Sequence, residues 1–150
     1  YLYYNLLGWL KMKVSEIMHK LLTCDENLEL CKAIDIMVTY DRGSVVVMRK
    51  EKPVGIFTER DGLRLLVSRR KCDSLKIKDV MTPLLYTADE EMPVLEASRL
   101  MEEKGVRRLP VIDKSGILVG MVTAASIAKS KKYMMARSLS SGLSSGSIYS

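Results

Sequence analysis

Apolar residues follow two alternating patterns along this chain, and the alternation happens twice. Leu30, Ala33, Ile34, Met37 and Val38 fall at i, i+3, i+4, i+7 and i+8, the spacing of one helix face. Val94, Ala97, Leu100 and Met101 repeat that face further on. A strand-like run follows each, Val45-Val46-Val47 in one case and Leu109-Pro110-Val111-Ile112 in the other. Turn residues come next, Arg49-Lys50-Glu51-Lys52 and Asp113-Lys114-Ser115-Gly116. A second strand is predicted over Val54 to Phe57 and over Leu118 to Val122, and a short helix closes each set, Glu59 to Val67 and Ala124 to Lys131. With a short strand ahead of the first helix, the predicted order is β-α-β-β-α, twice over.

The two sets are copies. Val14-Ser15-Glu16-Ile17-Met18 matches Ile77-Lys78-Asp79-Val80-Met81 at an offset of 63, Ala33 and Met37 match Ala97 and Met101 at 64, and Gly55-Ile56-Phe57-Thr58 matches Gly120-Met121-Val122-Thr123 at 65. Two single-residue insertions account for the drift. The expected division is an N-terminal extension over 1–12, repeat 1 over 13–67, a polar linker over 68–76, repeat 2 over 77–131, and a flexible Ser- and Gly-rich tail over 132–150. The fold class is α/β (α+β). One copy of ~60 residues buries little apolar area alone, so the two are expected to pack through their sheets.

Composition narrows the function classes. The 24 Lys and Arg against 18 Asp and Glu give a formal charge of +6, which favours anionic partners without naming one. Three cysteines, Cys24, Cys31 and Cys72, at spacings that fit no zinc pattern and with His19 as the one histidine, argue against a disulfide framework or a metal site. A reducing cytoplasm is the expected compartment. The segment Tyr1 to Leu10 is apolar and aromatic but too short to span a membrane, so its aromatics are expected to pack on protein. Met12, just ahead of repeat 1, is the expected natural start. No catalytic constellation and no Gly-rich phosphate loop of the Walker or dinucleotide type is visible, so an enzyme is not expected.

Three features together resemble the cystathionine-β-synthase-type (CBS) repeat: Ile-Met or Val-Met ahead of each first strand, the run Arg107-Arg108-Leu109-Pro110-Val111-Ile112-Asp113, and the Gly-x-x-Thr end of each hairpin. The resemblance covers about residues 13–131. It implies a tandem pair, often called a Bateman module, related by a pseudo-twofold axis, with clefts between the repeats and a tendency to form homodimers. The catalytic barrel that accompanies such pairs in IMP dehydrogenase does not occur in this sequence.

The resemblance also implies a ligand site. Thr58-Glu59-Arg60-Asp61 reads by itself as a capping box, in which Thr58 and Asp61 satisfy free N–H groups at a helix start. A helix N-terminus also suits phosphate, and a carboxylate there can accept ribose hydroxyls. In CBS pairs that bind adenosine nucleotides, the Thr and Asp at this position contact phosphate and ribose. Basic groups before the Leu-Pro-Val strand of the facing copy complete the site, much as in AMP-activated protein kinase gamma subunits. Here those are Arg107 and Arg108, whose planar forks suit phosphate. By the same resemblance Leu84 and Leu85 would line the adenine slot. The second cleft, with Leu22, Thr123 and Ser126, is weaker. Ser126 stands where repeat 1 has Asp61, and Gly43 and Ser44 stand in place of the arginines, so both charges are gone. It is expected to be empty or to take a less charged ligand such as S-adenosylmethionine.

The leading function is therefore a regulatory sensor of an adenosine nucleotide (AMP, ADP or ATP), an energy sensor that needs no cofactor and signals to a separate, unidentified effector protein. A nucleic-acid-binding adaptor, suggested by Lys129-Ser130-Lys131-Lys132, ranks second because aromatics for base stacking are few. A ligand-free dimerisation scaffold ranks third. No membrane partner is expected.

Overall fold

The computed structural model describes residues 2–144. In chain order the elements are α1 (Leu2–Leu10), β1 (Thr23–Asp25), α2 (Leu30–Thr39), β2 (Ser44–Arg49), β3 (Lys52–Thr58), α3 (Glu59–Ser68), β4 (Thr82–Pro83), β5 (Ala88–Asp89), α4 (Val94–Lys104), β6 (Arg108–Ile112), β7 (Leu118–Thr123) and α5 (Ala124–Ser144). Single turns of 3-10 helix lie at Val14–Glu16, Cys72–Ser74 and Ile77–Asp79.

The chain divides into two compact units. A middle unit runs from Lys20 to Tyr86, and a terminal unit joins the segment ending at His19 to the segment beginning at Thr87. In the middle unit the sheet order is β1-β2-β3-β4, with β1 parallel to β2 and the other pairs antiparallel. In the terminal unit the order is β5-β6-β7, with β5 parallel to β6 and β6 antiparallel to β7. A bridge between His19 and Met121 stands at the edge where the middle unit has β4. The hairpins share a register irregularity at equivalent positions, Val47/Met48 and Val111/Ile112.

The predicted periodicities become burial. Leu30, Ala33 and Met37 turn α2 inward, and Val94, Ala97 and Met101 do the same for α4. Val45, Val46 and Val47 are all fully buried, so β2 is covered on both faces and reads as a continuous apolar run instead of an alternating one. Phe57 and Ile77 complete the core of the middle unit with Leu30 and Ala33. Gly105, at φ 65°, ends α4 in the left-handed conformation that glycine adopts without a Cβ clash.

The structural units are cut differently from the sequence repeats, because each repeat's opening turn belongs to the other repeat's helix and sheet. Val14 and Ser15 donate backbone hydrogen bonds to Met92 O (2.8 Å) and Glu90 O (3.1 Å), and Val94 donates to Met12 O (2.7 Å). The equivalent bonds in the middle unit run from Ile77 to Leu28 O (2.9 Å), from Lys78 to Glu26 O (3.2 Å) and from Leu30 to Leu75 O (2.9 Å). The motif residues take part in the exchange. The Met18 thioether lies where a Cβ on Gly120 would be, 2.7 Å from that position, and Met81 lies 2.3 Å from the equivalent position on Gly55. The Ile-Met and Gly-x-x-Thr marks are thus complementary parts, supplied to each unit by different repeats.

Two expectations are corrected, those for the tail and for the cysteines. The closing helix of repeat 2 does not stop at Lys131; α5 continues to Ser144, so the expected flexible tail is helical over residues 132–144, and residues 145–150 lie outside the described residues. The N-terminal segment forms α1, and Trp9 packs on α5: its Nε1 donates to Ser130 Oγ at 3.0 Å and Lys131 Nζ lies 5.4 Å from its ring centre. Cys31 and Cys72 form a disulfide, with Cα atoms 5.1 Å apart, against the expectation of none. The pairing was hidden because it depends on the linker folding back over the start of α2, which spacing alone does not show.

Candidate functional site

The first turn of α3 holds the residues that the sequence singled out. Thr58 ends β3 in an extended conformation and caps the helix. Its backbone N–H donates to Asp61 Oδ2 at 2.8 Å, its hydroxyl donates to the same oxygen at 3.0 Å, and Asp61 N–H donates back to Thr58 Oγ1 at 3.4 Å. This is a reciprocal capping box, satisfying two N–H groups that would otherwise face the helix end alone. The other carboxylate oxygen, Oδ1, lies 3.5 Å from Arg64 Nη1; the Arg64 side chain is largely exposed and the Asp61 side chain 11% exposed. Oδ1 therefore keeps accepting capacity that the cap does not use.

The first turn of α5 shows what the cap needs. Thr123 N–H donates to Ser126 Oγ at 2.9 Å, and Ser126 N–H donates to Thr123 Oγ1 at 3.0 Å. A neutral hydroxyl thus closes the same reciprocal box. The Ser126 hydroxyl donates to Thr123 O at 2.8 Å, so its one proton is used within the turn.

Comparison with known families matches the CBS domain at residues 14–68 and again at 77–132. The chain belongs to the CBS domain family. The two matches make it a tandem CBS pair, a regulatory module. An uncharacterized protein of Methanopyrus kandleri is 43% identical over 96 residues, which are 63% of this chain and 49% of that protein. An inosine-5'-monophosphate dehydrogenase of Methanocaldococcus jannaschii is 36% identical over 126 residues, 83% of this chain and 24% of that enzyme. The chain thus spans about half of the first relative and a quarter of the second. Among solved structures, the CBS domain pair of protein MJ0100, in complex with 5'-methylthioadenosine and S-adenosyl-L-methionine, superposes with a TM-score of 0.69 at 26% identity, covering 79% of this chain and 98% of that one. CBSX2 in complex with AMP superposes with a TM-score of 0.68 at 23% identity over 81% of this chain and 97% of that one, a likeness of fold.

Within this CBS pair, each unit gathers part of the predicted set. In the middle unit, Leu84 donates its N–H to Val54 O at 3.0 Å, which hangs it on β3, the strand that ends in Thr58. Leu84 is half-buried, while Leu85 is 74% exposed. Leu22 is half-buried beside β2, its carbonyl accepting from Val46 N–H at 2.9 Å. In the terminal unit, Arg108 opens β6 opposite Thr123 of β7, and Arg107 O accepts from Ala124 N–H at 2.9 Å. Ser44 holds the equivalent place opposite Thr58, and Gly43 O accepts from Glu59 N–H at 3.1 Å. The arginines are therefore neighbours, within their own unit, of the neutral Thr123-Ser126 cap. Among the described residues no ion pair engages either guanidinium.

Sequence reasoning missed Arg64 at Asp61; its signal was the i, i+3 spacing on the predicted helix. Cys24, the free cysteine, is buried, and burial followed by the charge of Asp25 pushes its thiol up to about 11. It stays protonated and is a core residue, not a nucleophile. Among the described residues no group of His, Cys, Asp and Glu is arranged to hold a metal ion, and no helix is long and apolar enough to cross a membrane.

Proposed function

We propose that this CBS pair binds one adenosine nucleotide per chain and reports its presence to a separate effector protein. The residues we assign to it are Thr58, Asp61, Leu84, Leu85, Arg107 and Arg108. Asp61 accepts ribose hydroxyls, the arginines hold phosphate, and the leucines cover the adenine. The observation that carries the reading is the pair of caps. Ser126 shows that a neutral hydroxyl closes the box, so the carboxylate of Asp61 exceeds what capping requires, and its Oδ1 is left to accept from a ligand. The MJ0100 pair, in complex with two adenosine-containing ligands, supports the ligand class. The chain acts as a regulatory protein and not as an enzyme in this reading, and a cytoplasmic setting belongs with it.

Isothermal titration of AMP, ADP, ATP and S-adenosylmethionine tests it, with Asp61→Ser beside the wild type. That substitution copies the cap of α5 and removes only the carboxylate. Hydrogen bonds to charged groups contribute about 1.5–3 kcal/mol, so the expected loss of nucleotide affinity is roughly ten- to a hundredfold. Equal affinity in Asp61→Ser and wild type, or two equivalent sites per chain, overturns the reading. A homodimer is the assembly that goes with this reading, and light scattering after gel filtration measures it.

A further inference from the structure

The disulfide lies at the junction that carries α3 into the linker. Cys31 stands beside the fully buried Leu30 in the first turn of α2, and Cys72 begins the 3-10 turn Cys72–Ser74. Both cysteines are half-buried, so the bond remains open to a small reductant. Cys24, the third cysteine of the unit, is buried and holds its proton, which keeps it out of thiol exchange.

The helix before this junction is weakly packed. No residue of α3 is buried; Leu65 alone packs partly against the core, while Leu63, Leu66 and Val67 are 63%, 75% and 85% exposed. Its start is held by the Thr58-Asp61 box. Its end leaves through Arg69, in the left-handed conformation at φ 57°. With the bond intact, residues 69–71, three in all, separate the helix from an anchor on α2. Without it, the next backbone anchor is Leu75, whose carbonyl accepts from Leu30 N–H at 2.9 Å, and the free stretch becomes residues 69–74, six in all. The Ser74 hydroxyl bond to Lys71 O (3.0 Å) is internal to that stretch and does not hold it to α2.

We infer that Cys31–Cys72 is a reversible redox site whose state sets how firmly α3 is ordered. The partner chemistry is a dithiol. One of its thiolates attacks one sulfur of the bond, forming a mixed disulfide with that cysteine and releasing the other; its second thiolate then attacks the reductant's own sulfur in the mixed disulfide and releases the remaining cysteine. The S–S bond of the protein breaks, a new S–S bond forms in the reductant, and two electrons and two protons end on Cys31 and Cys72. In a reducing compartment such bonds are transient sensors. Asp61 lies in the first turn of α3, so a consequence, resting on the ligand reading above, is that the reduced protein binds AMP more weakly.

The test is hydrogen exchange on the full chain without nucleotide, before and after treatment with dithiothreitol in the absence of denaturant. Alkylation and intact mass count the thiols. Reduction is expected to add two alkyl groups, to speed exchange of amides 62–71 about tenfold while β2 and β3 stay protected, and to reverse on oxidation. Cys31→Ser should match the reduced state; the chemical reduction of wild type decides the matter if that variant folds poorly. Resistance of the bond until urea is added, or unchanged exchange in α3 after reduction, overturns the proposal. AMP titration of the two states is read separately. Equal affinities with a loosened α3 overturn the link to the ligand and leave the redox site standing, and a protein that binds no nucleotide at all still answers the exchange test.

Discussion

Gly55 and Gly120 occupy the places where a methionine from the other repeat lies. A Cβ on Gly55 would meet Met81 Sδ at 2.3 Å and the Thr82 carbonyl oxygen at 3.1 Å; on Gly120 it would meet Met18 Sδ at 2.7 Å and the His19 carbonyl oxygen at 3.2 Å. The thioether can swing aside, but the backbone oxygens are fixed by strand pairing. Gly55→Ala and Gly120→Ala are each expected to destabilise by about 1–3 kcal/mol, measured by urea unfolding. Loss of that cost in Gly55→Ala/Met81→Ala would identify the thioether as the obstacle. Cys24 gives a pH prediction. Its thiol is raised to about 11 in the folded chain, chiefly by burial, while the unfolded thiol ionises near 8.5–9. The folded state therefore holds a proton that the unfolded state releases. Stability from this group is intact below about pH 9 and falls as pH rises toward 11, by an amount on the order of 2 kcal/mol. Cys24→Ala should flatten the pH dependence of urea stability over that window; an unchanged slope would place the effect on other groups.

Among the elements, α3 and α5 differ in what holds them. Their caps have the same geometry, but α3 buries no side chain while α5 buries Ile127 and packs against Trp9. Ser126→Ala keeps the residue 126 N–H bond to Thr123 Oγ1 but leaves Thr123 N–H without its Ser126 Oγ acceptor, and should cost about 1 kcal/mol, read from thermal or urea unfolding. The disulfide closes a loop with a sequence separation of 41, for which chain entropy gives about 4 kcal/mol. Urea unfolding with and without reductant is expected to show that difference, and to lose it in Cys31→Ser.

In the molecule as a whole, the repeat that evolution duplicated is not the unit that packs. Val14 and Ile77 are both fully buried, each in the unit formed around the other repeat's strands. A fragment covering residues 20–86 keeps Ile77, Met81 and β4 and is expected to show dispersed amide signals. A fragment covering 13–67, cut at the repeat boundaries, lacks all three and is expected to be unfolded. Folding of the second fragment and not the first would reverse the assignment.

The β-α-β-β-α order of each repeat, the inward faces of α2 and α4, the apolar run of β2 and the cap of α3 were legible in the sequence, because each is a local pattern of period, propensity or turn chemistry, and duplication printed most of these patterns twice. The asymmetry between the repeats was legible as well, since Asp61 and Ser126 fall at matching positions. Three things were decided only in the tertiary structure. The Met-Gly contacts exchange parts between repeats, and a motif carries no record of which copy it packs against. The Cys31–Cys72 pairing depends on the linker folding back on α2, a long-range closure that no spacing reveals. The extension of α5 to Ser144 sets weak helix formers on a helix whose earlier turns meet α1, so tertiary contact there accompanies structure that local propensity does not favour. Local patterns are written in neighbouring residues; the contacts that join distant ones exist only once the chain has closed on itself.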